Sequence, residues 1–284
     1  MKLGLGTAQL GLIYGIANKT GKPDDDTAFQ ILLAAYKSGM DFFDTAQGYG
    51  NSENLIGEFL SKYGLTRKIK ICTKAKTFIG SKNLREDVNA SVRHSLDTLK
   101  LDKISYFLLH SPRDVHELGS ELIRCFDKHS GSIEKFGVSV YTPDEIRECL
   151  NYPEIKAIQL PYNLLDNRLD KSGILRELKQ RGIDIIARSI YLQGLLLLED
   201  IPERLSAARP YVSEIAQLAA SEHLTPKELA FLHVRDNDFI DVMIVGCETL
   251  NQVYENVRLF NKKEIVRVVL DREVPEKILN PSMW

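Results

Sequence analysis

The 284-residue sequence has no long apolar run, no excess of either charge and no paired cysteines, and each lack removes a class of protein. Its longest hydrophobic stretches are strand-sized, well short of the roughly 20 residues a membrane-spanning helix needs. Lys plus Arg number 37 against 39 Asp plus Glu, a formal net charge of −2, so no nucleic-acid or membrane-surface partner is expected. Met1 to Leu10 lacks the apolar core and cleavage site of a signal peptide, which makes a cytoplasmic enzyme or binding protein the expectation. Cys72, Cys125, Cys149 and Cys247 are scattered, with no Cys-x-x-Cys and no histidine at ligand spacing. Neither a zinc site nor a disulfide framework is expected, only reduced and mostly buried thiols. Also missing is a Gly-x-Gly-x-x-Gly turn after the first strand, since Gly4, Gly6 and Gly11 do not have that spacing, and this weakens the case for an open doubly wound sheet.

What is present is a strict alternation of short apolar strands and amphipathic helices. Strands are expected at Lys2 to Thr7, Asp41 to Asp44, Ile69 to Thr73, Ile104 to Leu109, Lys135 to Val140, Lys156 to Leu160, Ile183 to Ser189 and Val242 to Val245. Between them lie helices begun by Asp24 to Asp26, Asn51 and Pro143, and others over Asn83 to Leu99, Val115 to Phe126, Lys171 to Gln180 and Leu250 to Phe260. A long loop from Ile190 to Pro210 breaks the rhythm before helices at Val212 to Glu222 and Pro226 to Val234. With no composition shift to mark a boundary, the pattern predicts one domain over residues 1–284, an α/β fold of the closed (β/α)8 TIM-barrel type.

In such a barrel the functional site lies at the carboxyl ends of the strands, where Asp44, Lys74, His110, Ser139, Gln159 and Arg188 all fall. Strand residues alternate faces, so if Ile71, Thr73, Phe107 and Leu109 face the helices, Lys74 and His110 face the interior. Asp44 and Tyr49 sit at either end of the stretch Asp-Thr-Ala-Gln-Gly-Tyr, a strand end running into a Gly-rich turn. A phenol is a usable proton donor, an ammonium beside it favours the phenolate, and a carboxylate behind the ammonium holds it in place. Asp44, Tyr49 and Lys74 supply these parts, and His110 can orient a carbonyl oxygen by a hydrogen bond. No serine or cysteine nucleophile is in evidence; hydride from a bound nicotinamide would complete a carbonyl reduction, with alcohol oxidation as the reverse.

The residues that carry this chemistry resemble the aldo-keto reductase family. Asp-Thr-Ala-Gln-Gly-Tyr-Gly-Asn-Ser-Glu at 44 to 53, Cys-Thr-Lys at 72 to 74, Leu-Leu-His-Ser-Pro at 108 to 112, Gly-Val-Ser at 137 to 139, Gln159 with Tyr162-Asn163, and Glu255-Asn256 look like its motifs in order. The resemblance implies a nicotinamide dinucleotide bound without a Rossmann fold and a tetrad of Asp44, Tyr49, Lys74 and His110, with Tyr49 as proton donor. It further implies that Ser139 and Gln159 hold the carboxamide, that Gly246 and Cys247 approach the pyrophosphate or ribose through backbone, and that Asn256 meets the adenine.

Three departures stand out. Val140 replaces an Asn that many members carry after the strand-five serine. Arg188 stands where many members stack a Tyr on the nicotinamide, and its planar guanidinium can stack too. Gly246 and Gln252 stand where NADPH-preferring members often carry Lys or Arg, with Glu248 close by. The resemblance implies NADP, but an acid there disfavours a 2′-phosphate and accepts a hydrogen bond from a free 2′-hydroxyl, which makes NAD the alternative. The expected partner is a small aldehyde, ketone or sugar, and the short tail to Trp284 suggests an open pocket for a polar substrate. Two competing functions remain: a cofactor-binding regulatory subunit, since potassium-channel beta subunits resemble this family, and a lyase or isomerase using Lys74 as a Schiff base.

Overall fold

The computed structural model describes residues 1–268, 270 and 272–284. Eight parallel strands, β1 (Lys2–Gly6), β2 (Phe42–Asp44), β3 (Lys70–Ala75), β4 (Ile104–Leu109), β5 (Ile133–Ser139), β6 (Ala157–Pro161), β7 (Asp184–Arg188) and β8 (Val242–Gly246), follow one another in chain order around a closed barrel. β1 closes the ring by pairing Leu3 with Met243 and Leu5 with Val245 on β8. The (β/α)8 expectation therefore holds.

Helices α1 (Ala8–Gly11), α2 (Asp25–Lys37), α3 (Ser52–Tyr63), α4 (Leu84–Leu99), α5 (Arg113–Asp127) and α6 (Pro143–Cys149) follow the first five strands. The second half of the ring carries α7 (Arg168–Ser172), α8 (Ile174–Gln180), α9 (Arg209–Ser221), α10 (Pro226–Arg235), α11 (Leu250–Phe260) and α12 (Glu276–Leu279). Their starts follow the residues present. Asp24 accepts a hydrogen bond from the Thr27 amide at 2.7 Å, while Thr142, Thr225 and Thr249 each form a capping box with the acid or amide three residues on.

Two helices depart from expectation. The segment expected as one helix over Lys171 to Gln180 is two, because Gly173 takes a left-handed φ of 69° between α7 and α8. α5 is kinked at Gly119, whose φ of 49° and ψ of −134° are not helical. The stretch from Ile190 to Pro210 is also more than a loop, since two 3-10 segments, Leu192–Leu197 and Glu203–Ala208, order it.

The strands bury two layers. Ile71, Phe107 and Leu109 join the main core beneath the helices, and Thr73 Oγ1 donates to Glu53 Oε1 on α3 at 2.7 Å. The intervening residues Phe42, Cys72, Tyr106, Leu108, Ala157, Ile186, Val242 and Ile244 form a separate cluster that fills the barrel. Lys74 and His110 continue the inward phase of Cys72, Tyr106 and Leu108, and so emerge at the carboxyl end of the plug. The packed interior is thus the floor of the site. No helix among the described residues is long and apolar enough to cross a membrane.

Candidate active site

Asp44 ends β2, Lys74 lies one residue before the end of β3, and His110 directly follows β4. Lys74 Nζ donates to Asp44 Oδ1 at 2.7 Å and to the Thr45 carbonyl at 2.9 Å, with the two side chains only 1% and 7% exposed. Burial would by itself lower the ammonium's pKa, but the Asp44 carboxylate overrides it and Lys74 stands above its ordinary range. Such an amine is held as a cation, which argues against its use as a Schiff-base nucleophile. Lys76, two residues on, is exposed, and its amide donates to Gln47 Oε1 at 3.2 Å.

Tyr49 lies on the turn after β2, with Lys74 Nζ 5.1 Å from its ring centroid and the His110 ring 5.7 Å away edge-on. Burial raises the phenol's pKa, Lys74 and Arg188 pull it down and Asp44 pushes it up, and the net direction is upward. The expected acidifying effect of Lys74 is present, but desolvation outweighs it. The phenol is therefore fully protonated at neutral pH. Burial also lowers His110, reinforced by the charges of Lys74 and Arg188, to about 4, so its imidazole is neutral and offers one N–H and one lone pair.

Gln159 on β6 donates from Nε2 to Asp44 Oδ1 at 2.7 Å, and its buried Oε1 has no partner. A buried amide oxygen left unsatisfied is costly, and it suits an incoming carboxamide N–H. Ser139 is buried opposite Gln159 in the β5–β6 register, so these two residues lie side by side. Arg188 ends β7, but its guanidinium lies over the Tyr141 ring at 4.4 Å and Nη2 donates to the Val140 carbonyl at 3.2 Å. The plane of the guanidinium is thus supported by Tyr141.

A cavity of about 610 Å³ begins at Asp44 and Tyr49 and runs past Gly246 and Glu248 to Gln252 and Asn256 on α11. Cys247 is not among its lining residues; it is fully buried, and Asn256 Nδ2 donates to its Sγ at 3.4 Å. Gln252 Oε1 accepts from the Glu248 amide at 2.8 Å while its Nε2 donates to Glu248 Oε1 at 3.1 Å, which rigidifies that end.

Several lining residues went unread in the sequence. Gln9 fills the space a Cβ would take at Gly246, and Lys227 on α10 pairs with Glu255 at 2.5 Å at the far end. The cavity is roofed by the segment from Arg188 to Asp200 and by the loop from Tyr14 to Lys19, joined by a hydrogen bond from the Ile16 amide to the Gln193 carbonyl at 3.0 Å. At Gly194, with φ 96°, an added Cβ would lie 2.6 Å from Ala17 Cβ. Ser189, Leu192 and Gln193 hold φ between 49° and 56°, left-handed backbone that non-glycine residues rarely adopt. Tyr191 hydroxyl donates to Asn256 Oδ1 at 3.4 Å, tying the roof to α11. Among the loop aromatics at this end, Tyr14 and Tyr191 line the cavity, Tyr141 supports Arg188, and Phe78 and Tyr162 pack in the core.

The family model described as "Aldo/keto reductase family" matches residues 2–271. The chain belongs to the aldo/keto reductase family. This aldo/keto reductase is 30% identical over 203 residues to the aldo-keto reductase str7 of Strobilurus tenacellus, a match covering 68% of the chain and 57% of the relative. It is 30% identical over 215 residues to the NADH-specific methylglyoxal reductase of Escherichia coli K12, covering 69% of the chain and 65% of that protein. The chain thus spans less than two thirds of each relative's length. In fold it superposes on an aldo-keto reductase from Bacillus halodurans solved in its holo form, with a TM-score of 0.77 at 22% identity, covering 93% of this chain and 88% of that one.

Proposed function

We propose that the protein is an NAD(P)(H)-dependent oxidoreductase that reduces the carbonyl of an aldehyde, ketone or sugar to an alcohol, or runs the reverse reaction, with Tyr49 as the proton donor. The observation that carries this reading is the buried Lys74–Asp44 pair, 2.7 Å between Nζ and Oδ1, lying under the Tyr49 ring at the mouth of an elongated cavity. A reduced nicotinamide, when bound, supplies hydride to the carbonyl carbon. Gln159 and Ser139 would hold its carboxamide, and Gly246, Glu248, Gln252 and Asn256 the ribose, phosphate and adenine portions along the cavity.

The chain's own residues handle the proton. His110, neutral at working pH, donates a hydrogen bond to the carbonyl oxygen and fixes it beside the phenol. As negative charge develops on that oxygen, the Tyr49 proton moves to it and the charge passes to the phenolate. Lys74 and Arg188, both of which favour the ionised phenol, stabilise that product of transfer. Asp44 keeps Lys74 charged and in position. In alcohol oxidation the phenolate takes the proton back.

Fluorescence titration with NADPH and NADH, followed by a carbonyl panel with the preferred one, tests the reading. Wild type is expected to oxidise the reduced cofactor on a carbonyl, and Tyr49→Phe to bind it normally while losing two or more orders of magnitude in kcat, in line with the roughly 10²–10⁴-fold value of general acid catalysis. Tight cofactor binding without oxidation across the panel would instead favour the regulatory-subunit reading.

A further inference from the structure

Arg188 presents a charge at the catalytic end of the cavity that nothing nearby neutralises. The side chain lines the same cavity as Asp44, Tyr49 and Tyr14, and no carboxylate among the described residues pairs with it. A guanidinium carries five N–H groups. Its protein acceptors are neutral: the Val140 carbonyl at 3.2 Å and Ser189 Oγ at 3.4 Å, while the Tyr141 ring supports its plane at 4.4 Å. The Asp44 carboxylate lining the same cavity is already engaged, because its Oδ1 accepts from both Lys74 and Gln159. The positive field of Arg188 is felt by Tyr14, Tyr49 and His110 alike, which puts its charge within reach of a bound carbonyl compound.

The side chain also leans in an informative direction. From the end of β7 it reaches across β6 to the end of β5, where Val140 and Tyr141 hold it, and so away from β8 and α11. The cavity's other end, towards α11, is lined by Glu199, Asp200 and Glu248, and its Lys227 is already paired with Glu255. Arg188 therefore adds its positive charge to the side of the mouth around Tyr49. A planar guanidinium, pre-oriented by an aromatic face and with free N–H groups, is the group that recognises carboxylates and phosphates in bidentate fashion.

We propose that Arg188 reads an anionic group on the substrate, so that the preferred carbonyl compound carries a carboxylate or a phosphate. This rests on the oxidoreductase reading above and narrows its substrate class. The test compares kcat/KM for matched pairs, butanal against 4-oxobutanoate and glycolaldehyde against glycolaldehyde phosphate, in wild type, Arg188→Met and Arg188→Lys. Wild type should favour at least one anionic member by about 10-fold or more, the scale of a charge-assisted hydrogen bond, and mainly through KM. The pair showing the advantage identifies carboxylate or phosphate as the recognised group. Arg188→Met should bring that ratio near one, whatever its effect on the absolute rates, and Arg188→Lys should restore part of it.

A wild-type enzyme that turns over the neutral aldehydes with no anionic advantage overturns this inference alone and leaves the reductase reading standing. An Arg188→Met variant that keeps the wild-type ratio but binds NAD(P)H more weakly by fluorescence titration also overturns it, assigning the residue to the cofactor. Absence of turnover with every carbonyl removes both readings together.

Discussion

Gln159 and Asp44, 115 positions apart in sequence, are joined by a 2.7 Å hydrogen bond from Nε2 to the same Oδ1 that accepts from Lys74. One carboxylate oxygen thus links β2, β3 and β6 at the mouth of the barrel. Any group that engages the free Oε1 of Gln159 is mechanically connected to the ammonium beneath Tyr49.

Stability follows directly from this linkage. Asp44→Ala leaves the Lys74 ammonium buried without its counter-ion and is expected to destabilise the protein by about 3–5 kcal/mol in urea unfolding. Asp44→Leu combined with Lys74→Met removes both charges and should recover most of that loss. A loss below about 1 kcal/mol for Asp44→Ala would mean that water reaches the pair and that the site is looser than described.

Acid should weaken the fold through two histidines. Burial holds both His110 and His233 at about 4, against an ordinary 6.5, and His233 is further fixed by its stack on Tyr162 and a 3.0 Å contact from Nδ1 to the Val268 carbonyl. Because the unfolded chain takes up these protons first, stability is undiminished above pH 6.5, falls as the pH drops towards 4 and levels off below it. His233→Phe is expected to flatten part of that decline in thermal melts recorded from pH 7 to pH 4. A melt profile identical to wild type would show that His233 is not protonated differently in the two states.

For carbonyl reduction the same buried site predicts a broad alkaline plateau. The phenol's pKa stands above its ordinary 10, so the protonated donor persists and kcat/KM should hold from pH 7 to about pH 9, declining only where Tyr49 ionises. A fall centred near pH 7 would identify another group as the donor.

Cofactor choice is open to redesign at the cavity's far end. Glu248→Gln with Gln252→Arg replaces a carboxylate by a cation at positions lining the cavity, and should raise the affinity ratio of NADPH to NADH by about tenfold. An unaltered ratio in fluorescence titration would show that the ribose 2′ position lies elsewhere.

The four thiols should separate cleanly. Cys72, Cys149 and Cys247 are buried, with burial raising each above its ordinary value, whereas Cys125 is partly exposed near the end of α5. A disulfide exchange reagent is expected to titrate one thiol in the native protein and four after unfolding. Rapid reaction of a second native thiol would signal that the core opens locally.

The barrel was legible because strand length, face alternation and strand-end polar residues are local properties. Lys74 and His110 follow from the face alternation of Ile71, Thr73, Phe107 and Leu109, and Asp44 from its place at the end of an apolar strand. What escaped was set by neighbours far along the chain. Whether burial or Lys74 governs the Tyr49 phenol depends on how much protein surrounds it, and no spacing encodes that. The tie of Gln159 to Asp44 and the lean of Arg188 towards Val140 are likewise products of ring closure. Gly173 is a break signal inside an otherwise helical run, and its left-handed φ of 69° ends α7 and starts α8 despite the continuous apolar periodicity.

The hydrogen bond between the Ile16 amide and the Gln193 carbonyl joins the two roof segments into one bridge, whose backbone is left-handed at Ser189, Leu192 and Gln193. Tyr191 ties the same bridge to Asn256 at the cavity's far end, so a long molecule lying beneath it would meet the roof along its length. The entry and exit of such a molecule would then depend on how often the roof opens.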